Sequence, residues 1–347
     1  MPSAISIVVT VRDDREGLAE LLPALAAQRR PAEEIVIVDA GSSDGSEDLL
    51  AYWRDRGLPL RILYEPGVGI SAGRNLGVAA ATHERIAITD AGCRPAPGWL
   101  EALVRELDGC DFVAGTYTVD RETPFEHAVA VSLYPDVSEV RKDLSLPERV
   151  WHRAFGRSFQ VDRATGRSMA FTRVCWEAAG GFPETVNAGE DVAFSKAALA
   201  SGARSTLAPD AIVAWRGRPT WRANARMYWH YAEGDAILGA QPRAFLRGGA
   251  WMLAMLLALL DGRRGRTVVL AGAGVYASLP AARAYRTGLP MRHWWRIVVV
   301  LAMKDLAMLG GTASGLRGGG AAGSVKLPAR EWAELQAVEP SSATTAS

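Results

Sequence analysis

Acidic residues at the ends of predicted strands carry much of the chemistry that this sequence offers. Asp39 closes the apolar run EIVIVD, and Asp90 closes a second apolar run that ends in ITD. A carboxylate at a strand end can accept a hydrogen bond from a base N–H or a ribose hydroxyl. Capping of the following helix is the alternative role for Asp39, although Asp44 suits that role better.

A third acid, Asp191, lies in the tripeptide GED, directly before a helical pattern. A carboxylate there could act as a general base if it lies within hydrogen-bonding reach of an acceptor hydroxyl. A purely structural N-cap is the alternative.

Several common sites are excluded by their missing motifs. The sequence contains no GxxxxGK[ST] loop and no HExxH, and its five histidines form no cluster with cysteine. The stretch Gly67–Gly73 has one residue too many for the GxGxxG fingerprint of dinucleotide-binding proteins. Nothing therefore indicates a nicotinamide or zinc enzyme.

Charge is distributed unevenly along the 347 residues. Residues 216–330 hold 17 Lys and Arg against four acids, a local charge of +13, whereas residues 1–215 carry a charge of −9. Such a basic stretch suits phosphates or an anionic membrane surface, and a solvated face of ordinary helices is the alternative. Three unpaired cysteines indicate a reducing compartment, and we expect no signal peptide.

The elements that must position these acids follow from the hydrophobic period. Residues 1–120 alternate between strand and helix patterns, which predicts a mainly parallel sheet with helices on both faces. In such sheets ligands bind at the carboxyl ends of the strands, where Asp39 and Asp90 lie. Residues 121–167 show no regular pattern. Further helices are predicted over 191–200 and 220–238.

The last third is apolar and Arg-rich. Gly248–Leu260, Thr267–Ala282 and Ile297–Met303 lack charge, yet none reaches the roughly 18–20 uninterrupted apolar residues that a spanning helix needs. Their Arg and Trp flanks are typical of interfacial segments, so we expect membrane association, with core helices as the alternative. The tail beyond Leu316 is predicted to be disordered.

An ordered set of motifs resembles family 2 glycosyltransferases of the GT-A fold. The matching stretches are ISIVVTVRDDREGLAELLPAL, EIVIVDAGSSDGS, GISAGRNLGVAAATHERIAITDAG, GRSMAFTRVCWEAAGGFPE and NAGEDVAFSKAALASGA. The resemblance implies an α/β GT-A domain over 1–240, with a nucleotide-binding half over 1–120 and an acceptor half over 121–240. A helical, membrane-associating region would follow over 241–315, and a disordered tail over 316–347.

The resemblance also implies roles for individual residues. Thr10, Arg12, Asp39, Arg74 and Asp90 would contact the nucleotide, with Asp39 on the base and Asp90 toward the ribose and a metal.

Asp191, beside Glu190 in the catalytic site, would deprotonate the acceptor hydroxyl, which attacks the anomeric carbon in line and inverts it. Trp215, Arg216 and Arg218 match a Trp/Arg element near the diphosphate, and a surface basic patch is the alternative for this cluster.

Gly92 departs from the family pattern, because it replaces the second acid that normally binds Mg²⁺ or Mn²⁺. Without the second acid, the charge of the diphosphate could be neutralised in two ways. A metal could bind through Asp90, the diphosphate and water, or cations such as Arg94, Arg216 and Arg218 could neutralise the diphosphate instead. Because such ions prefer several hard oxygens, we expect a weak or absent metal requirement.

The sequence therefore predicts an inverting glycosyltransferase at the cytoplasmic face of a membrane. It would move a sugar from a nucleotide-sugar donor to a lipid-linked or polysaccharide acceptor, with no nucleic-acid partner. A nucleotidyltransferase and a non-catalytic, membrane-bound nucleotide-sugar-binding protein are the alternatives.

Overall fold

The computed structural model describes residues 4–140, 144–155, 158–185, 188–237 and 249–318, the last range without 251, 255, 257, 259 and 261. The described strands are β1 Ile5–Val11, β2 Glu34–Asp39, β3 Leu60–Tyr64, β4 Arg85–Ile88, β5 Cys93–Pro95, β6 Phe112–Val119, β7 Met169–Thr172 and β8 Ser205–Trp215. The principal helices are α1 Arg15–Ala26, α2 Ser46–Asp55, α3 Ile70–Ala80, α4 Trp99–Leu107, α5 Pro124–Leu133, α6 Leu146–Phe155, α7 Arg173–Ala179, α8 Glu190–Ala200, α9 Trp221–Ile237, α10 Gly262–Arg286 and α11 Trp295–Gly318.

The eight strands form one mixed sheet in the order β3-β2-β1-β4-β7-β6-β8-β5. Strands β3, β2, β1 and β4 are parallel neighbours, and β6 pairs in parallel with β8. Strands β7 and β5 run the other way. The register sets Ile88 of β4 opposite Met169 of β7, so the loop before β7 lies beside the loop after β4.

Both faces of the sheet are covered, as the continuous apolar strands predict. In β1 the side chains alternate: Ile7 and Val9 pack with α1 and α4, while Val8 packs with α3, α7 and α8 on the opposite face. Helix α1 begins where the Asp14 carboxylate accepts the N–H of Gly17, an N-cap that turns the chain away from the end of β1.

The C-terminal helices pack on this body. Helix α11 lies along α9, and the fit depends on Gly310, Gly311 and Gly315, because a Cβ at these positions would overlap Trp229 or Glu233 of α9. Helix α10 is held by Arg283, whose guanidinium donates 2.9 and 2.5 Å hydrogen bonds to the buried Glu139 carboxylate.

One helix among the described residues, Met291–Arg317, is long and apolar enough to cross a membrane, and 44% of its most apolar window is buried inside the protein. A core helix would have the same length and composition. The uninterrupted apolar run Ile297–Met303 is shorter than a spanning helix needs, and α11 reaches that length only by continuing through the charged pair Lys304 and Asp305. Those two side chains are buried. The predicted helical C-terminal region is confirmed, whereas the predicted disordered tail lies almost wholly outside the described residues.

The stretch predicted to be irregular, 121–167, contains helices α5 and α6. Helix α5 begins with a capping box between Thr123 and Glu126, a signal that the sequence carries. Strands β5 and β8 were also absent from the prediction. Strand β8 includes a β-bulge near Pro209, which interrupts its pairing with β6.

Candidate active site

A cavity of about 820 Å³ opens at the carboxyl ends of β1, β4 and β8. Nine of the eleven residues predicted for the site line this cavity. They are Thr10, Arg12, Arg74, Asp90, Glu190, Asp191, Trp215, Arg216 and Arg218. The edge of the sheet thus collects residues from Thr10 to Arg218 that are distant in the chain, as expected for a ligand site in an α/β fold.

Arg74 holds the acidic side of the cavity together. Its guanidinium donates a 2.6 Å hydrogen bond to Glu190 and a 2.8 Å hydrogen bond to Asp90. The Arg74 and Glu190 side chains are 2% and 7% exposed, so their ion pair is buried, and removal of one partner would leave an uncompensated charge. Asp90 is 33% exposed and also faces the cavity. The prediction placed Arg74 near the nucleotide. The structure shows that it also fixes Glu190, next to Asp191, and Asp90, at the end of β4.

Asp191 is oriented by the backbone on both sides of its carboxylate. Oδ2 accepts the N–H of Gly166 at 3.1 Å, and Oδ1 accepts the N–H of Val192 at 2.8 Å. Gly166 has no room for a side chain, because a Cβ there would overlap the guanidinium of Arg74. The loop before β7 can therefore approach α8 closely enough to hold this carboxylate.

Burial raises the pKa of Asp191 to about 6, and the neighbouring Glu190 carboxylate adds to the rise. The charges of Arg74 and Arg167 and the Gly166 N–H oppose it. A carboxyl with a pKa near 6 is well matched to general-base work near neutral pH, because it is ionised yet still basic.

The residues around Asp90 do not fit a divalent metal. Among the residues that the structure describes, no group of three His, Cys, Asp or Glu side chains is arranged to hold one. Oδ1 of Asp90 already accepts from Arg74, and position 92 offers no carboxylate. A Cβ on Gly92 would lie 3.6 Å from Oδ2 of Asp14, so an acidic side chain would enter the field of another acid.

Two predicted residues are not brought to the cavity. The Asp39 carboxylate is 2% exposed, and its Oδ1 accepts the N–H groups of Gly41 and Ser42, so it fixes the turn after β2. Arg94 is predicted to bind the diphosphate. It instead pairs with Glu20 and Asp120, both at 2.5 Å, and joins α1 to the end of β6.

The predicted Trp/Arg element, Trp215, Arg216 and Arg218, does reach the cavity, and its two arginines differ in how far acids compensate their charge. Arg216 donates a 2.7 Å hydrogen bond to Glu20, so its charge is partly compensated. Arg218 is exposed and lines the rim. Trp215, at the end of β8, is buried and presents its ring to a cation.

The sequence did not reveal several lining residues. Arg167 lies over the Trp215 ring, and Tyr117 and Tyr134 form an aromatic wall around them. Lys304 of α11 also lines the cavity, so a helix with the length and composition of a membrane segment contributes to the site. One signal was available for Arg167: it belongs to the motif GRSMAF, directly before β7.

A mixed, mainly parallel sheet with acids at its strand ends and a nucleotide-sized cavity defines this protein as a GT-A glycosyltransferase. Residues 6–162 match the family model described as glycosyl transferase family 2. It is a glycosyltransferase that uses a nucleotide-sugar donor.

Proteins with similar sequences are also named glycosyltransferases. The chain is 27% identical to a pre-mycofactocin glycosyltransferase of Mycobacterium tuberculosis over 335 residues, which cover 86% of this chain and 67% of the relative. It is 26% identical to the glycosyltransferase AglE of Haloferax volcanii, over 62% of this chain and 67% of that one.

Solved structures share the fold. The mannosyltransferase PcManGT of Pyrobaculum calidifontis, solved with GDP-Man and Mn²⁺, superposes with a TM-score of 0.55 at 22% identity, covering 91% of this chain and 88% of that one. TarS 1–349 of S. aureus with UDP-GlcNAc gives 0.50 at 15% identity, covering 89% and 91%. At these identities the likeness shows the GT-A fold.

Proposed function

We propose that this protein is an inverting glycosyltransferase in which Asp191 is the general base. The observation that carries the proposal is the placement of the Asp191 carboxylate. It lines the donor-sized cavity, two backbone N–H groups fix its orientation, and its pKa is raised to about 6. A fixed, ionised carboxylate facing a cavity is what removal of a hydroxyl proton requires.

The bonds made and broken follow from this placement. The acceptor O–H gives its proton to Asp191 as its oxygen attacks the anomeric carbon of the donor. The bond from that carbon to the diphosphate oxygen breaks on the opposite side, and the diphosphate leaves with the electron pair. A single in-line displacement inverts the anomeric centre. Fixed cations at the cavity stabilise the charge that develops on the leaving group.

A metal has no part in this scheme, although a protein of the same fold, PcManGT, was solved with Mn²⁺. The support for a weak or absent metal requirement is the chemistry of the donor set: Gly92 offers no oxygen ligand, and Asp90 is held by Arg74. Hard divalent ions prefer several oxygen ligands, and the side chains at this position offer one carboxylate.

The acceptor we propose is a lipid-linked sugar or a polysaccharide at the cytoplasmic face of a membrane. Exposed apolar side chains on the C-terminal helices, flanked by arginines, support this location. Pre-mycofactocin is a second candidate acceptor. The similarity to the mycobacterial enzyme favours it, since that similarity extends over 86% of this chain.

The test combines a donor screen with one substitution. Thermal-shift measurements with UDP-, GDP- and TDP-sugars, with and without Mn²⁺, identify the donor class. With that donor, Asp191→Asn should lower the transfer rate by about 10²- to 10⁴-fold, because general-base help is lost, and should leave donor binding within about twofold. Asp55→Asn, on an exposed residue of α2, is the matched control and should transfer at the normal rate.

Loss of donor binding in Asp191→Asn with a high residual rate would refute the role of Asp191. Retention of the anomeric configuration in the product would refute the inverting displacement.

A further inference from the structure

Arg167 presents a guanidinium to the cavity from the loop before β7. Its central carbon lies 3.9 Å from the centroid of the Trp215 ring and 5.0 Å from that of Tyr117. A planar guanidinium stacks on aromatic rings and keeps its N–H edge free to donate in the plane. The two rings therefore orient Arg167 and leave that edge available to a ligand.

The other cations around the cavity are mostly balanced by acids. Arg74 pairs with Asp90 and Glu190, Arg216 pairs with Glu20, and Lys304 lies 3.3 Å from Asp305. Arg12 and Arg218 are exposed to water.

Arg167 differs from all of them. It makes no hydrogen bond or ion pair with any residue that the structure describes, and its Nε is enclosed without a partner. Asp90 and Asp191 lie near enough for their charges to act on Arg167, but neither carboxylate accepts a hydrogen bond from it. Its N–H groups therefore stay available to an anionic ligand.

The position of Arg167 indicates which anion. Strands β4 and β7 are antiparallel, with Ile88 opposite Met169, so Arg167 lies beside the loop that carries Asp90, the side of the cavity assigned to the donor. The N–H of its neighbour Gly166 donates a hydrogen bond to the carboxylate of Asp191, the side assigned to the acceptor. The guanidinium thus lies between the donor side and the base. A guanidinium beside Asp90 can reach the diphosphate of a donor whose ribose contacts Asp90.

We propose that Arg167 is a catalytic residue that binds the donor diphosphate and neutralises its developing charge, in the role that a metal ion held by a second acid would have. The proposal rests on the proposed glycosyl transfer and adds the residue that compensates for Gly92. A guanidinium can bind two phosphate oxygens at once, and a pre-positioned cation needs no reorganisation when the bond to the anomeric carbon breaks.

The experiment separates the diphosphate from the nucleoside. Binding of UDP and GDP, and of uridine and guanosine, is measured by calorimetry in EDTA for the wild type, Arg167→Gln, Arg167→Lys and Arg105→Gln. Arg105 is exposed on α4, outside the cavity, and serves as the control. Arg167→Gln should bind the preferred nucleoside diphosphate roughly 10- to 100-fold more weakly and the nucleoside unchanged. Arg167→Lys, which keeps the charge but loses the planar fork, should fall between the two and decides the matter if Arg167→Gln does not fold.

Equal diphosphate affinity in the wild type and both Arg167 variants would overturn the proposal. So would wild-type binding that is lost in EDTA and restored by Mn²⁺, because the metal would then neutralise the diphosphate. A wild type that binds no nucleoside diphosphate and no donor would instead refute the proposed function itself. Loss confined to the diphosphate in Arg167→Gln, with Arg105→Gln unaffected, supports Arg167.

Discussion

Asp191 shows how its surroundings set the chemistry of one carboxyl group. Burial and the adjacent Glu190 raise its pKa to about 6, and two arginines together with the Gly166 N–H keep it from rising further. The opposing effects leave a base that is ionised at neutral pH but remains a better proton acceptor than an ordinary aspartate with a pKa near 4.

The pH dependence of transfer follows from this value. Because the base must be ionised, kcat/KM should be constant above pH 7 and fall about tenfold per unit below pH 6. The measurement is the initial rate at low donor concentration between pH 5 and pH 8. In Arg167→Gln the acid limb should move to higher pH, since the charge of Arg167 lowers the pKa of Asp191 in the wild type. A rate that stays constant down to pH 5 would show that Asp191 is not the titrating base.

At this scale the sequence identified acids by their position at the ends of elements, and most of them reach the cavity. It failed where a side chain bends back on its own loop, as Asp39 does, or pairs across the chain, as Arg94 does. Arg167 was missed for a different reason. Its place beside Asp90 depends on the antiparallel direction of β7, and no local pattern encodes that direction.

Elements with a strong hydrophobic period were predicted closely. The hydrophobic patterns predict strands over 60–64 and 112–119 and a helix over 99–107, and these bounds agree with β3, β6 and α4. Helices α8 and α9 differ from their predicted bounds by a residue at one or both ends. Strands β5 and β8 were missed because their pairing is long-range and antiparallel between Cys93 and Trp215, and Pro209 breaks the strand pattern of β8. Apart from β5, the sequence thus predicted the elements of residues 1–120 better than those of residues 121–240.

The contact between α9 and α11 allows a test at the scale of elements. In Gly311→Ala the added Cβ would overlap the backbone carbonyl of Trp229, which cannot move without shifting α9. We expect a loss of about 1–3 kcal/mol in the free energy of unfolding, the usual cost of overpacking, measured by denaturant titration. Because Lys304 of α11 lines the cavity, transfer activity should fall as well.

Gly274→Ala in α10 is the matched control for this substitution. Nothing lies within 4 Å of a Cβ there, so the gain in helix propensity should leave the protein unchanged or stabilise it by up to ~1 kcal/mol. Equal stability of the two variants would mean that α9 and α11 are not in close contact in the folded protein.

At the scale of the whole molecule, the apolar surface is concentrated where the charge is most basic. The first half of α10 exposes Leu270 and Val275, and Met252, Leu253 and Leu260 are exposed in the segment before it. Arg263 and Arg266 lie exposed at the start of the same helix. Arginines next to an apolar helix face fit the boundary between anionic headgroups and acyl chains, and this arrangement favours a membrane over a second protein.

The double substitution Leu270→Glu with Val275→Glu tests this surface. Both side chains are more than 60% exposed, so the fold should tolerate the change, whereas two acids would be repelled by an anionic surface and would not enter the acyl region. We expect the wild type to sediment with vesicles containing anionic lipid, less so at high salt, and the double variant to remain in the supernatant.

Val174→Glu, on the equally exposed apolar Val174 of α7, should sediment like the wild type. Equal sedimentation of the double variant and the wild type would place the membrane contact elsewhere. Lys304 of α11 lines the cavity, so loss of the membrane could also disturb the site. Full transfer to a soluble acceptor by the detached double variant would show that the membrane is not needed to shape the site.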